Sequence, residues 1–96
     1  VDAGTLDELL RALAHADRRA FVVACRDQEQ SAGDLAALSE LSLATVSEHL
    51  KVLRKTGLLW LERRGRFWMY RTDTALLAEV ADQVAQLGGQ AWGEKR

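Results

Sequence analysis

Apolar side chains recur at intervals of three and four along most of the chain, switch to strict alternation near residue 60, and then return to three and four. The first spacing is that of a helix with one buried face, the second that of a strand. The pattern predicts four helices, a β-hairpin and a fifth helix. Leu6, Leu9, Leu10 and Leu13 form the stripe of helix 1 (5–14). Thr5-Leu6-Asp7-Glu8 has the form in which a hydroxyl and a carboxylate satisfy each other's free amides, so Thr5 is expected to cap that helix. His15 to Arg19 reads as the turn into helix 2, whose run of Ala20, Phe21, Val23, Ala24 and Cys25 is mostly apolar. Asp27 to Gln30 is a polar connector with room for a short strand. Ser31 and Asp34 make a second capping box ahead of Leu35, Ala36 and Leu38, and Leu41 should turn toward the core.

The segment Ser42 to Gly57 (SLATVSEHLKVLRKTG) organises the rest. Val46, Leu50, Leu53 and Gly57 fall at i, i+4, i+7 and i+11, with Ser42 as N-cap and the glycine as the stop. At about 100° per residue, Ala44, Ser47, Glu48, Lys51 and Lys55 share the opposite side. Small groups at one end of such a face can approach base edges closely, and cations at the other can meet phosphates. Only Glu40 and Leu41 separate it from the preceding short helix, the turn length of a helix-turn-helix (31–57).

Beyond Gly57, Leu59 and Leu61 alternate with Trp60 and Glu62, and Trp68 and Tyr70 with Phe67 and Met69. Arg63-Arg64-Gly65-Arg66 is expected to form the tip of a hairpin over 58–72. Arginines there suit a wing reaching phosphates or a narrow minor groove. Asp73 or Thr74 caps the last helix (74–87), where Leu76, Leu77, Val80, Ala81, Val84 and Leu87 repeat at three and four until Gly88-Gly89. A small domain with so apolar a terminal helix has surface to hide, and that helix with helix 1 is the expected two-fold interface. The tail 88–96 reads as mobile, with Trp92 able to dock.

Charge changes the picture once it is split along the chain. The total is −1 over 96 residues. Residues 42–71 hold seven Lys and Arg against two Glu, a net +5, whereas residues 1–41 carry −4 and residues 72–96 carry −2. That is a local electrostatic footprint on an acidic body. The absence of a long apolar run or a signal-peptide pattern points to the cytoplasm and away from a membrane. A chain opening on Val1 is expected to be trimmed, and residues 1–4 carry no weight. One cysteine excludes an internal disulfide. Catalysis would have to rest on Cys25 with His15 or His49 as base, but Cys25 lies in an apolar run with no phosphate loop or carboxylate cluster, so no enzyme is expected.

The helix order, the LAHADRRAFVVAC stretch, the DLAALSELSLATVSEHLKVLRKTGLL core and the ERRGRFWMYR hairpin together resemble the ArsR/SmtB-type winged-helix repressors of bacteria over about residues 5–87. The resemblance implies a mainly α fold with a β-hairpin wing and five helices. It also implies a homodimer joined through its first and last helices on a palindromic operator in double-stranded DNA, with room for an unidentified small-molecule or protein effector. Metal-sensing members often carry two cysteines where Ser31 and Gly33 stand here. A second family site uses Asp and His near the start of the last helix, where Asp73 and Glu79 survive but Ala75 replaces a histidine. Neither a metal nor a cofactor is therefore expected. Leu43 and Glu48 replace a common Gln and His, which implies a different operator.

Within that frame Ala44, Thr45, Ser47 and Glu48 are assigned to base edges, and Ser42, Lys51, Arg54 and Lys55 to phosphates. Arg63, Arg64 and Arg66 go to the wing, and Leu6, Leu9, Leu10, Leu13, Leu76, Leu77, Val80, Val84 and Leu87 to the dimer interface. His49, displaced from the centre of the apolar face, is assigned to packing. The alternative is a winged helix that docks a protein and has no specific DNA target.

Overall fold

The computed structural model describes residues 1–89; the part of the tail from 90 onward, with Trp92, lies outside the described residues. Its elements are α1 (Ala3–Leu13), α2 (Ala16–Asp27), α3 (Ala32–Leu38), α4 (Leu43–Lys55), β1 (Leu59–Arg64), β2 (Phe67–Thr72) and α5 (Thr74–Gln86). Five helices and a two-stranded antiparallel hairpin are thus formed in the predicted order. No described helix is long and apolar enough to cross a membrane.

Two helix starts differ from the sequence reading. Helix α1 begins at Ala3, capped by Asp2, whose Oδ1 accepts the Thr5 amide at 2.7 Å. Aspartate caps at least as well as threonine, so the earlier residue captures the orphan amide and Thr5 falls inside the first turn. Helix α2 begins at Ala16, directly after the extended His15, so Asp17, Arg18 and Arg19 form its first turn and are not a loop. Asp17 suits the positive end of that helix. Arg19 reaches back to donate to the Leu13 carbonyl at 2.7 Å, satisfying the end of α1.

The other caps follow the sequence. Ser31 and Asp34 close a reciprocal capping box on α3, with Ser31 Oγ accepting the Asp34 amide at 3.0 Å and Asp34 Oδ2 accepting the Ser31 amide at 2.9 Å. These hydrogen bonds hold the Asp34 carboxyl below its usual range. Ser42 caps α4, and Asp73, not Thr74, caps α5. Gly57 ends the α4 turn at φ 87°, and a Cβ there would lie 3.3 Å from the Leu76 side chain, so both backbone and space favour glycine.

The core gathers one face from each helix. Leu9, Phe21, Cys25, Leu35, Val46, Leu50, Leu53, Leu58, Leu59 and Val80 are all buried. The root of the hairpin is tied in by the Thr72 hydroxyl, which donates to the Val22 carbonyl at 2.7 Å. The predicted polar connector does contribute a strand-like bridge, with Gln30 and Tyr70 exchanging both backbone hydrogen bonds at 3.1 and 2.7 Å.

Part of the predicted dimer surface is corrected here. Leu9 and Val80 are 0% and 3% exposed, committed to the core of the chain itself. Leu6, Leu13, Leu76 and Leu77 are half-buried against that core. Leu10, Val84 and Leu87 remain outside at 38%, 41% and 77% exposure. Each terminal helix must first anchor itself, and that requirement consumes the middle of the apolar stripe.

Cys25 is fully enclosed, and burial pushes its thiol up to about 12. The reactive thiolate is therefore scarce at neutral pH. Iodoacetamide at pH 8 is expected to leave Cys25 unmodified in the folded protein and to alkylate it fully in denaturant, read by mass spectrometry. Stoichiometric modification within minutes under native conditions would contradict the packing described.

Candidate nucleic-acid interface

Helix α4 is amphipathic because its buried seam repeats at three and four, and burying that seam, with His49 and Val52 at its margins, turns the opposite side of the helix outward. Val46, Leu50 and Leu53 lie inward at 1% exposure or less. Ala44, Thr45, Ser47, Glu48, Lys51, Arg54 and Lys55 are all exposed. At the helix start, Ser42 Oγ accepts the Thr45 amide at 3.2 Å and donates to Thr45 Oγ1 at 3.0 Å, which leaves the Thr45 hydroxyl hydrogen for an outside acceptor. Glu48 Oε2 and Lys51 Nζ stand 4.0 Å apart with both side chains three-quarters exposed, a contact too weak to restrain either.

The site includes a residue that the sequence reading left unassigned. Tyr70 of β2 joins Ser47, Glu48, Lys51, Arg54 and Lys55 in lining one open groove. The hairpin register puts it there. Leu59 pairs with Thr72, Leu61 with Tyr70 and Arg63 with Trp68, so these six share one face of the hairpin. Alternation from the buried Leu59 would have located Tyr70, given a turn of known length.

That length is two residues. Arg64 pairs with Phe67, so the tip is Gly65-Arg66, with Gly65 at φ 61° in the first central position. Arg63 and Arg64 belong to β1, contrary to the predicted four-residue tip, because one glycine with positive φ suffices to reverse the chain. Their side chains are also engaged. Arg64 Nη2 lies 2.7 Å from both Glu29 and Glu62, and those carboxylates raise the guanidinium's pKa. Arg71 pairs with the other oxygen of Glu62 at 3.0 Å and lies over the Trp60 ring at 5.1 Å. Arg63 donates to the Gly65 carbonyl at 2.9 Å and sits 5.6 Å over Trp68. Among the described residues, Arg54, Lys55, Arg63 and Arg66 have no carboxylate within 4 Å.

A helix-turn-helix domain family model matches residues 13–61, just over half of the chain. The transcriptional repressor SmtB of Mycobacterium tuberculosis is 39% identical over 85 residues, which make up 88% of this chain and 63% of that protein. The chain thus spans less than two thirds of the length of this curated relative. An ArsR-like transcriptional regulator from Rhodococcus sp. RHA1 shares the fold at a TM-score of 0.81 with 27% identity, over 88% of this chain and 80% of that one. The chain belongs to the ArsR/SmtB-type winged helix-turn-helix family. A homodimeric winged helix-turn-helix DNA-binding domain from Mycobacterium bovis has the same fold, with a TM-score of 0.71 and 24% identity over 91% of this chain and 83% of that one.

The ArsR/SmtB-type proteins matched are transcriptional regulators and not enzymes. In this member of the family, Ser31 is spent on capping α3 and Gly33 has no side chain, so neither position offers a thiolate ligand. Among the described residues no three His, Cys, Asp or Glu side chains are placed to hold a metal.

His49 faces away from the open groove. Its Nδ1 accepts from Arg18 Nε of α2 at 3.0 Å, and its ring lies near those of His15 and Phe21. It links the exposed helix to α2, as packing required. His49→Ala is expected to destabilise the fold by about 1–2 kcal/mol through that lost hydrogen bond and ring contact, measured by urea unfolding. An unchanged midpoint would remove the buttress role.

Proposed function

We propose that this chain is a homodimeric repressor that binds a palindromic operator in double-stranded DNA. The α4 helix lies in the major groove and the wing tip reaches backbone or minor groove. The observation that carries this reading is the set of cations on the exposed side of α4 and at the hairpin tip. Arg54, Lys55 and Arg66 are free of carboxylates within 4 Å among the described residues, and Lys51 has only its loose contact with Glu48. Cations left unpaired beside a groove are available to phosphates, as recognition of a duplex requires.

Roles follow from position. Ala44, Thr45, Ser47 and Glu48 meet base edges or the adjoining sugar wall, Leu43 offers apolar contact, and Ser42, Lys51, Arg54 and Lys55 hold phosphates. Arg66 serves the wing, with Arg63 beside it, and Arg64 steadies the hairpin just before the tip through its two carboxylates. The family and the homodimeric M. bovis domain support a two-fold assembly, and Leu10, Val84 and Leu87 are the apolar groups left for it. Two half-sites about one helical turn apart would meet the two α4 helices. Action on DNA in the cytoplasm fits this assembly, with a small-molecule or protein effector as regulator.

In a dimer each substituted position removes two cations. Lys51→Ala, Arg54→Ala or Lys55→Ala is expected to lower the slope of log affinity against log salt by about 2, at roughly 0.9 per phosphate contact. Arg66→Ala should weaken duplex binding more than Arg64→Ala. Fluorescence anisotropy with an operator duplex across a salt series measures both. A wild-type chain without duplex affinity in dilute salt would favour a protein-docking winged helix instead. For the assembly, sedimentation equilibrium should show a dimer that Val84→Glu converts to monomer, and a monomeric parent would refute the two-fold model.

A further inference from the structure

We infer that Trp68 is a DNA-contacting residue, paired with Arg63 as one preformed unit on the groove side of the wing; this rests on the proposed DNA-binding role of the α4 face. Trp68 is 53% exposed, although a tryptophan gains more from burial than almost any other side chain. Its place on the hairpin is fixed by register. It stands directly opposite Arg63, two residues from Tyr70 on the same strand and on the same face, and Tyr70 already lines the groove with Lys51, Arg54 and Lys55. The wall that begins at Tyr70 therefore continues outward through Trp68 toward the tip.

The chemistry of that wall matches a duplex backbone. Deoxyribose presents an apolar surface between regularly spaced anions, and an indole beside a guanidinium presents an apolar plane beside a cation. The Trp68 N–H adds a donor for a phosphate oxygen. Arg63 is held by the Gly65 carbonyl at 2.9 Å and lies over the indole, while no carboxylate competes for it among the described residues. Little side-chain freedom is lost when such a pair meets its target. Arg71 over Trp60 makes a similar stack on the opposite face, but Glu62 neutralises it, so the two faces of the hairpin differ in what they can attract.

The test uses the full chain and an operator duplex. Trp68→Ala is expected to lower affinity about tenfold with the salt slope unchanged, because no charge is lost, and Trp68→Phe should recover most of the affinity. Arg63→Ala should lower the slope by about 2 per dimer. In a Trp60→Phe/Trp92→Phe background, Trp68 emission should change on adding duplex in proportion to occupancy. Circular dichroism and urea midpoints check that Trp68→Ala still folds. Unchanged affinity and silent emission, with Arg54→Ala still weakening binding, would overturn the role of Trp68 while leaving the DNA reading intact. No duplex binding by the parent chain at low salt would overturn both.

Discussion

The structure depends on the seam of Val46, Leu50 and Leu53. These three side chains belong to the one buried cluster to which α1, α2, α3 and the hairpin root also contribute, and each is shut away from water. Losing one would remove about 2–5 kcal/mol, a large part of what a small domain has. The same burial fixes the rotation of α4 about its axis. With the seam inward there is one orientation left for Ser47, Lys51, Arg54 and Lys55, and that orientation opens on the groove beside Tyr70. The helix needs no separate device to aim its polar face.

Electrostatics then sorts the cations by task. The basic segment is not a uniform patch, because Glu62 engages both Arg64 and Arg71, and Glu29 engages Arg64 a second time. Those contacts stiffen the hairpin along its length, up to the last pair before the tip. Charge left over for a polyanion is concentrated at the far turns of α4 and at the tip, where carboxylates are absent within 4 Å among the described residues. An acidic remainder of the chain limits adhesion to nucleic acid by any other face.

Most of the fold was legible because period and capping speak locally. The seam, the Ser31–Asp34 box, the Ser42 cap and the Gly57 stop each follow from residues within a turn of one another. The misreadings arose where two local solutions competed or where the answer lay across the chain. Thr5 and Asp2 were rival caps three residues apart, and only the path of the backbone decides between them. The arginines of the hairpin look equivalent in sequence, and their division needs Glu29, brought close from the α2–α3 connector. Leu9 and Val80 were assigned to a partner-facing surface but are buried in the core of the chain itself, because the inward half of each stripe is indistinguishable in sequence from the outward half. Tyr70 escaped notice because its position depends on the length of a turn that four consecutive polar or glycine residues left open.

A free two-stranded ribbon is floppy and splays readily. Here the short bridge between Gln30 and Tyr70 supplies a third rail, making β2 the middle member, and the Glu29–Arg64 contact adds a guy-line from the same connector. The pitch of the ribbon is thus set, at mid-strand and near the tip, by two residues more than thirty positions upstream. The whole blade swings only if that connector swings with it.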